Sequence, residues 1–297
     1  NKTIKSNDEN KIDMFDYRNY IVLKKIDSGS FGIINLVKNK NTNEEYAAKT
    51  SVKETKSASL SGLTREVQVL LHVSHPTIIK LRGYSDFDFN GNANATFLMD
   101  YMPNGSLLQL IKQKPPEFTN TNRQIILAGV ALGMDVLFNS HIIHRDLKPA
   151  NVLLDSNFWP IITDFGLSKI FDPENSMEQS MSNCGTLLYM VPEVMKSNVF
   201  DSKADVYSFG ILMYEVVTGN RAFLKEIRLL RLTNYGLSTR IINGMRPKID
   251  QSVKKGLRKL IEKCWSDNPL ERPTFSELFK KLSLSESDED DDVDDYC

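Results

Sequence analysis

The run His144-Arg145-Asp146-Leu147-Lys148-Pro149-Ala150-Asn151, followed thirteen residues later by Asp164-Phe165-Gly166, restricts this chain more than any other feature. It gathers two carboxylates, a lysine and an amide, with no His/Cys metal set and no Ser/His nucleophile pair beside them. The apolar run Ile125 to Met134, ended by Asp135, precedes it and reads as a buried helix. Val152–Leu154 and Pro160–Thr163 flank a turn at Asp155-Ser156-Asn157 and read as two short strands. The polar group therefore sits on a loop, and Asp164 follows a strand. That inventory suits phosphoryl transfer. The chemistry needs a group to orient and deprotonate an attacking hydroxyl, hard oxygen ligands for Mg²⁺, and fixed cations against phosphate.

Bulk properties exclude several classes. A chain of 297 residues, 41% apolar and 25% charged, can bury a sizeable core and has an ordinary globular composition. The longest apolar run is ten residues, well short of the ~20 that a membrane helix needs. The polar start (Asn1, Lys2, Lys5, Asp8, Glu9, Asn10) carries no secretory pattern, so the expectation is a cytoplasmic protein. A first residue other than Met fits an excerpt of a longer chain. Cys184, Cys264 and Cys297 form no close pair, which disfavours a disulfide framework or a zinc site. Net charge is −1, but eight acids (Glu286, Asp288, Glu289, Asp290, Asp291, Asp292, Asp294, Asp295) crowd the last residues. The rest holds 37 bases against 30 acids, a basic body suited to anionic ligands such as nucleotides. The acidic stretch itself reads as disordered. No internal repeat and no nucleic-acid module is visible.

Upstream, Tyr20 to Ile26 reads as a strand, and Asn35 to Lys38 as a second. Between them lie Asp27-Ser28-Gly29-Ser30-Phe31-Gly32-Ile33-Ile34, where glycines allow a tight turn and close backbone approach to phosphate. No dinucleotide-binding helix follows, which argues against a Rossmann unit. Tyr46-Ala47-Ala48-Lys49 reads as a strand, and Leu63, Val67, Leu70 and Leu71 fall on one face of a helix that also carries Glu66. A hairpin-like stretch with a polar turn at Asp88–Asn94 leads to Phe97–Met102 and Pro103-Asn104-Gly105-Ser106-Leu107.

Together these motifs resemble the eukaryotic protein kinase family over roughly residues 17 to 283, with the serine/threonine type and its tyrosine-kinase-like branch the nearest pattern. The resemblance implies an α+β, bilobal kinase fold: a small antiparallel β-sheet lobe with one helix and a larger, mainly α-helical lobe. Residues 1–16 then form a polar extension, 17–100 the small lobe, 100–105 the hinge, 106–285 the large lobe, and 286–297 the acidic tail.

Roles follow residue by residue from the family. Asp146 accepts the proton of the substrate hydroxyl, Lys148 neutralises the transferring phosphoryl, and Asn151 and Asp164 hold Mg²⁺. ATP lies against Ile26, Asp27, Ser28, Gly29, Ser30, Phe31, Gly32 and Ile34. Lys49 contacts its phosphates and Glu66 holds Lys49. Met99 stands at the gatekeeper position. Adenine bonds backbone groups at Asp100 and Met102, between Ala47 and Leu153. Asp27 departs from the pattern, since the first glycine of the family's loop is an acid here. His144 and Phe165 are expected to stack with Leu70 and Leu81. Glu193 should pair with Arg272, and Asp205 should brace the catalytic loop.

The resemblance implies protein substrates bearing Ser or Thr, marked by Lys148 with Thr186. It also implies an activation segment from Asp164 to Glu193, phosphorylated at Ser176, Ser180 or Ser182 by an upstream kinase or by itself, with Arg145 as receiver. Alternatives are a pseudokinase scaffold and a dual-specificity or tyrosine kinase. Arg221, Lys225, Arg228 and Arg231, with Leu224, Ile227 and Leu230 between them, give a basic stripe at helical spacing that reads as a solvated face, or as a dock for an acidic partner or the chain's own tail.

Overall fold

The computed structural model describes residues 13–29, 32–51, 58–116, 118–171, 186–197 and 200–284. Ser30, Phe31, Ser176, Ser180, Ser182 and the acidic residues 286–297 lie outside the described residues.

The small lobe is a five-stranded antiparallel sheet formed by β1 (Tyr20–Gly29), β2 (Gly32–Asn39), β3 (Glu45–Thr50), β4 (Leu81–Ser85) and β5 (Thr96–Asp100), in the order β1-β2-β3-β5-β4. Helix α1 (Ala58–His72) interrupts the sheet in sequence and packs its buried Val67 and Val69 inward. β1 and β2 meet at the glycine turn, with Gly29 opposite Gly32 and Asp27 opposite Ile34. The pairing register shifts between Lys25 and Asp27, a bulge just before the turn. Gly32 has φ 139°, and a Cβ there would sit 2.3 Å from the Thr50 carbonyl oxygen. No other residue fits that position without moving β3.

Residues that the sequence reading leaves in the polar extension also join this lobe. Phe15 N–H donates to the Tyr84 carbonyl at 2.9 Å, and Tyr84 N–H donates to the Asp13 carbonyl at 3.1 Å, so the segment pairs with the edge of β4. Phe15 packs edge-on against Tyr20, with ring centroids 5.2 Å apart. A single bridging residue carries no alternation pattern, so nothing in the sequence marks this segment as part of the sheet.

The large lobe follows the hinge. It contains α2 (Leu107–Gln113), α3 (Asn120–Asn139), the short strands β6 (Ile142–Ile143), β7 (Val152–Leu154), β8 (Pro160–Ile162) and β9 (Lys169–Ile170), then α4 (Pro192–Ser197), α5 (Lys203–Thr218), α6 (Leu224–Leu230), α7 (Asn234–Ile242), α8 (Lys255–Cys264) and α9 (Phe275–Ser283). Ser106 starts α2 and Thr274 starts α9. Each accepts from the backbone N–H three residues on, while Gln109 and Glu277 reach back to the cap residue's own N–H. Gly219 ends α5 with φ 64°. α5 runs through the core with Phe209, Ile211, Leu212 and Met213 at 0% exposure, and every residue from Ala204 to Val216 is buried. Among the described residues no helix is long and apolar enough to cross a membrane.

Two hairpin-like pairings present the polar loop. β7 pairs antiparallel with β8, and β6 with β9. The segment 144–151 is thereby held between β6 and β7, and Asp164 directly follows β8 and Thr163, as the sequence pattern predicts.

Candidate active site

Asp146 is 7% exposed, and its carboxylate is the hub of the loop. Lys148 Nζ lies 2.5 Å from Oδ2, and Asn151 Nδ2 donates to Oδ2 at 3.0 Å and to the Asp146 carbonyl at 2.9 Å. Thr186 donates to Oδ1 from both its N–H and its Oγ1, each at 3.1 Å, and its hydroxyl also accepts from Lys148 at 2.8 Å. The sequence predicts a shared role for Lys148 and Thr186 across 38 residues, and the fold brings them into contact.

Asp205, at the start of α5, fixes this loop from below. Its carboxylate accepts from the N–H of His144 at 2.7 Å and of Arg145 at 2.9 Å. Burial pushes the Asp205 carboxyl above its ordinary range, and His144 together with the two N–H donors opposes that push. The tie matters because Arg145 has φ 68°, a left-handed conformation that costs a non-glycine residue roughly 1–2 kcal/mol. Arg145 is 8% exposed, and its guanidinium lies 4.8 Å over the Phe200 ring. His144 Nε2 meets the Thr163 carbonyl at 3.1 Å, and Nδ1 accepts from Asp146 N–H at 3.3 Å. These contacts hold the ring in place, so His144 packs and orients. It stacks on Phe165 with centroids 5.1 Å apart, and Leu70 and Leu81 pack against the same core.

Above the loop, Lys49 Nζ lies 2.6 Å from Glu66 and 3.5 Å from Asp164. Burial would lower the Lys49 ammonium, but the two carboxylates outweigh it and hold it above its usual value. Burial likewise pushes Glu66 up against the pull of Lys49. These tendencies conflict, since a raised lysine favours the ion pair and a raised carboxyl weakens it. A contact of 2.6 Å is that of an ion pair, so the lysine's direction governs.

Met99 is 6% exposed and stands opposite Ala47 in the β3–β5 register. Asp100 donates its N–H to the Lys80 carbonyl at 3.2 Å, and its carboxylate accepts from Arg82 at 3.0 Å. Arg82 had no signal in the sequence, because its partner lies on a neighbouring strand. Leu153 on β7 forms a bridge with Ser106 at the foot of the hinge.

The oxygen donors fit a hard cation. Asn151 uses its Nδ2 on Asp146, which leaves Oδ1 as a ligand atom, and Thr163 N–H bonds the Asn151 carbonyl at 3.0 Å, keeping Asn151 close to Asp164. Among the described residues no group of three His, Cys, Asp or Glu forms a metal cage. One carboxylate and one amide oxygen are hard donors of the kind a divalent cation takes.

A ledge runs beside Asp146. Tyr189 donates from its hydroxyl to Glu215 at 2.9 Å, and Ser208 donates to the Tyr189 carbonyl at 2.8 Å. Glu193 and Arg272 make the expected bidentate pair at 2.5 and 3.1 Å, with the Arg272 side chain wholly buried and Glu193 28% exposed. The basic stripe needs correction. α6 covers only Leu224–Leu230, and Arg221 precedes it and turns inward to the buried Glu215 at 3.1 Å. Lys225, Arg228 and Arg231 remain exposed, a solvated face shorter than the spacing implies.

Two nucleotide-side features concern Asp27. It is exposed, and its Oδ1 accepts from Ser28 N–H at 2.7 Å. The family resemblance puts phosphate at this turn; a carboxylate there would repel it, and salt would weaken that repulsion. Asp27→Gly should lower the KM for ATP a few-fold at low salt, with the difference shrinking as salt rises. An unchanged or raised KM would mean that the bond to Ser28 outweighs the charge.

Comparison with known proteins matches residues 20–282 to the model of the protein kinase domain. The chain belongs to the protein kinase family. Among its relatives, R831 of Acanthamoeba polyphaga mimivirus, whose name carries a serine/threonine-protein kinase/receptor designation, is 33% identical over 91% of this chain and 16% of its own length. The dual specificity protein kinase shkC of Dictyostelium discoideum is 31% identical over 86% of this chain and 49% of its own. The serine/threonine-protein kinase STY17 of Arabidopsis thaliana is 29% identical over 93% and 46% respectively. The chain thus spans half or less of the length of each of these relatives.

Proposed function

We propose that this domain transfers the γ-phosphoryl of ATP to Ser or Thr hydroxyls of proteins, with Mg²⁺ as the metal. The observation that carries the reading is the Asp146 carboxylate, bracketed by Lys148, Asn151 and Thr186. In this reading Asp146 orients the incoming hydroxyl and accepts its proton as the new O–P bond forms, while the bond from the γ-phosphorus to the bridging oxygen breaks and ADP leaves. Lys148, already at the Asp146 carboxylate, meets the negative charge on the phosphoryl oxygens. Lys49, held by Glu66, fixes the phosphates. Asn151 and Asp164 would hold Mg²⁺, which supplies positive charge across the phosphate oxygens. The Asp100 carbonyl and the Met102 N–H would take the adenine edge, with Ala47 above and Leu153 below. Thr186 supports a Ser/Thr acceptor, because its contact with both Asp146 and Lys148 is the pairing that the resemblance to serine/threonine kinases implies.

The second reading, a nucleotide-binding scaffold without transfer, has Asp27 in its favour. Incubation with γ-labelled ATP, Mg²⁺ and a mixed protein substrate separates the two. Acid-stable label on protein, lost when Mg²⁺ is chelated, supports transfer. Nucleotide binding without label would overturn it.

A further inference from the structure

Helix α1 touches the Asp164 turn at two places through two consecutive residues. Glu66 reaches it indirectly, through Lys49, which lies 3.5 Å from the Asp164 carboxylate. Arg65 reaches it directly, because its guanidinium donates to the Gly166 carbonyl at 2.9 Å across 101 residues of sequence. Between these ties Phe165 is fully buried against His144. The turn needs holding. Asp164 has φ 65° and ψ 66°, a left-handed conformation that L-residues rarely adopt, and the short helical turn Phe165–Leu167 follows at once. Upstream, Thr163 is tied to the Asn151 carbonyl, and downstream Ser168 Oγ donates to the His144 carbonyl at 3.2 Å. The Gly166 peptide lies between these anchors and carries no side chain of its own, so the hydrogen bond from Arg65 fixes its orientation.

We propose that Arg65 is a positioning residue for Asp164, setting the carboxylate for Mg²⁺ by clamping the far end of its turn to α1. This rests on the reading of Asp164 as a metal ligand. Residues that orient a metal ligand, without touching the metal, typically affect metal affinity or activity by about 10–100-fold. A guanidinium on a carbonyl is a charge-assisted bond, and a lysine ammonium can replace its N–H donor while a methionine cannot.

The test uses the full chain and three variants, Arg65→Met, Arg65→Lys and Asp164→Asn. ATP affinity is measured by calorimetry with Mg²⁺ and again with EDTA, alongside the Mg²⁺ concentration for half-maximal transfer and the KM for protein substrate. Arg65→Met should bind ATP in EDTA as wild type does. It should lose most of the gain that Mg²⁺ confers and need roughly 10–100-fold more Mg²⁺ for half-maximal transfer, with the protein-substrate KM unchanged. Arg65→Lys should recover a large part of the gain. A full wild-type gain in Arg65→Met, or equal losses with Mg²⁺ and with EDTA, would overturn the clamp. If Arg65→Met does not fold, a fourth variant, Arg65→Ala, decides: loss of most of the gain with wild-type affinity in EDTA supports the clamp, and a full gain or parallel losses sink it. Asp164→Asn separates the two ideas. If it keeps the full Mg²⁺ gain, the metal-ligand reading fails. If it abolishes the gain while Arg65→Met retains it, only the clamp fails.

Discussion

Asp146→Asn should fold, bind ATP with nearly wild-type affinity, and lose about 10²–10⁴-fold in kcat, the usual contribution of a positioned general base. Asn keeps the shape of the side chain and one oxygen for the Thr186 donors, but it brings an amide to the position that faces Lys148 and Asn151. The loss should fall on kcat rather than on the KM for ATP, because the phosphate-holding Lys49 and Glu66 are separate from this hub. Steady-state kinetics with a nucleotide-binding control checks it. A variant as fast as wild type would remove Asp146 from the role assigned to it.

Arg272→Ala should be the costliest single truncation in the large lobe. The guanidinium donates to both Glu193 oxygens, to the Ser266 carbonyl at 3.0 Å and to the Lys203 carbonyl at 3.2 Å. It also lies 5.5 Å from the Tyr207 ring. Removing one partner of a buried pair costs roughly 3–5 kcal/mol, because the other charge and its neighbours are left unmatched. Glu193 keeps 28% exposure, so water can recover part of its solvation, and the low end of that range applies. In a chain of 297 residues, with an unfolding entropy of about 2.1 cal/mol/K per residue, about 3 kcal/mol corresponds to a Tm drop of roughly 5 °C. Differential scanning calorimetry reads it directly. A shift under a degree or two would show that Lys203 and the core hold the ledge without this pair.

The site was legible where chemistry follows local spacing. Asp146, Lys148 and Asn151 lie within six residues on one loop, so the sequence alone could place them together. Asp164 follows a strand whose apolar pattern is unmistakable. Lys49 with Glu66, and Glu193 with Arg272, were reachable only because the motifs around each resemble those of the family. Contacts without a local pattern were invisible. Arg65 meets a backbone carbonyl, which no residue identity marks, 101 positions away. The pairing of Asp13–Phe15 with β4 depends on main-chain groups that every residue carries. Arg221 looked like part of an amphipathic helix because charge and apolar residues alternate around it. The buried Glu215, at 0% exposure, pulls it inward instead.

Phosphoamino-acid analysis of protein labelled from γ-labelled ATP tests the central claim most directly, because it reads transfer and acceptor in one measurement. The account predicts phosphoserine and phosphothreonine, absent from the Asp146→Asn reaction run in parallel. Phosphotyrosine as the sole product, or equal labelling by the Asp146→Asn variant, would contradict it.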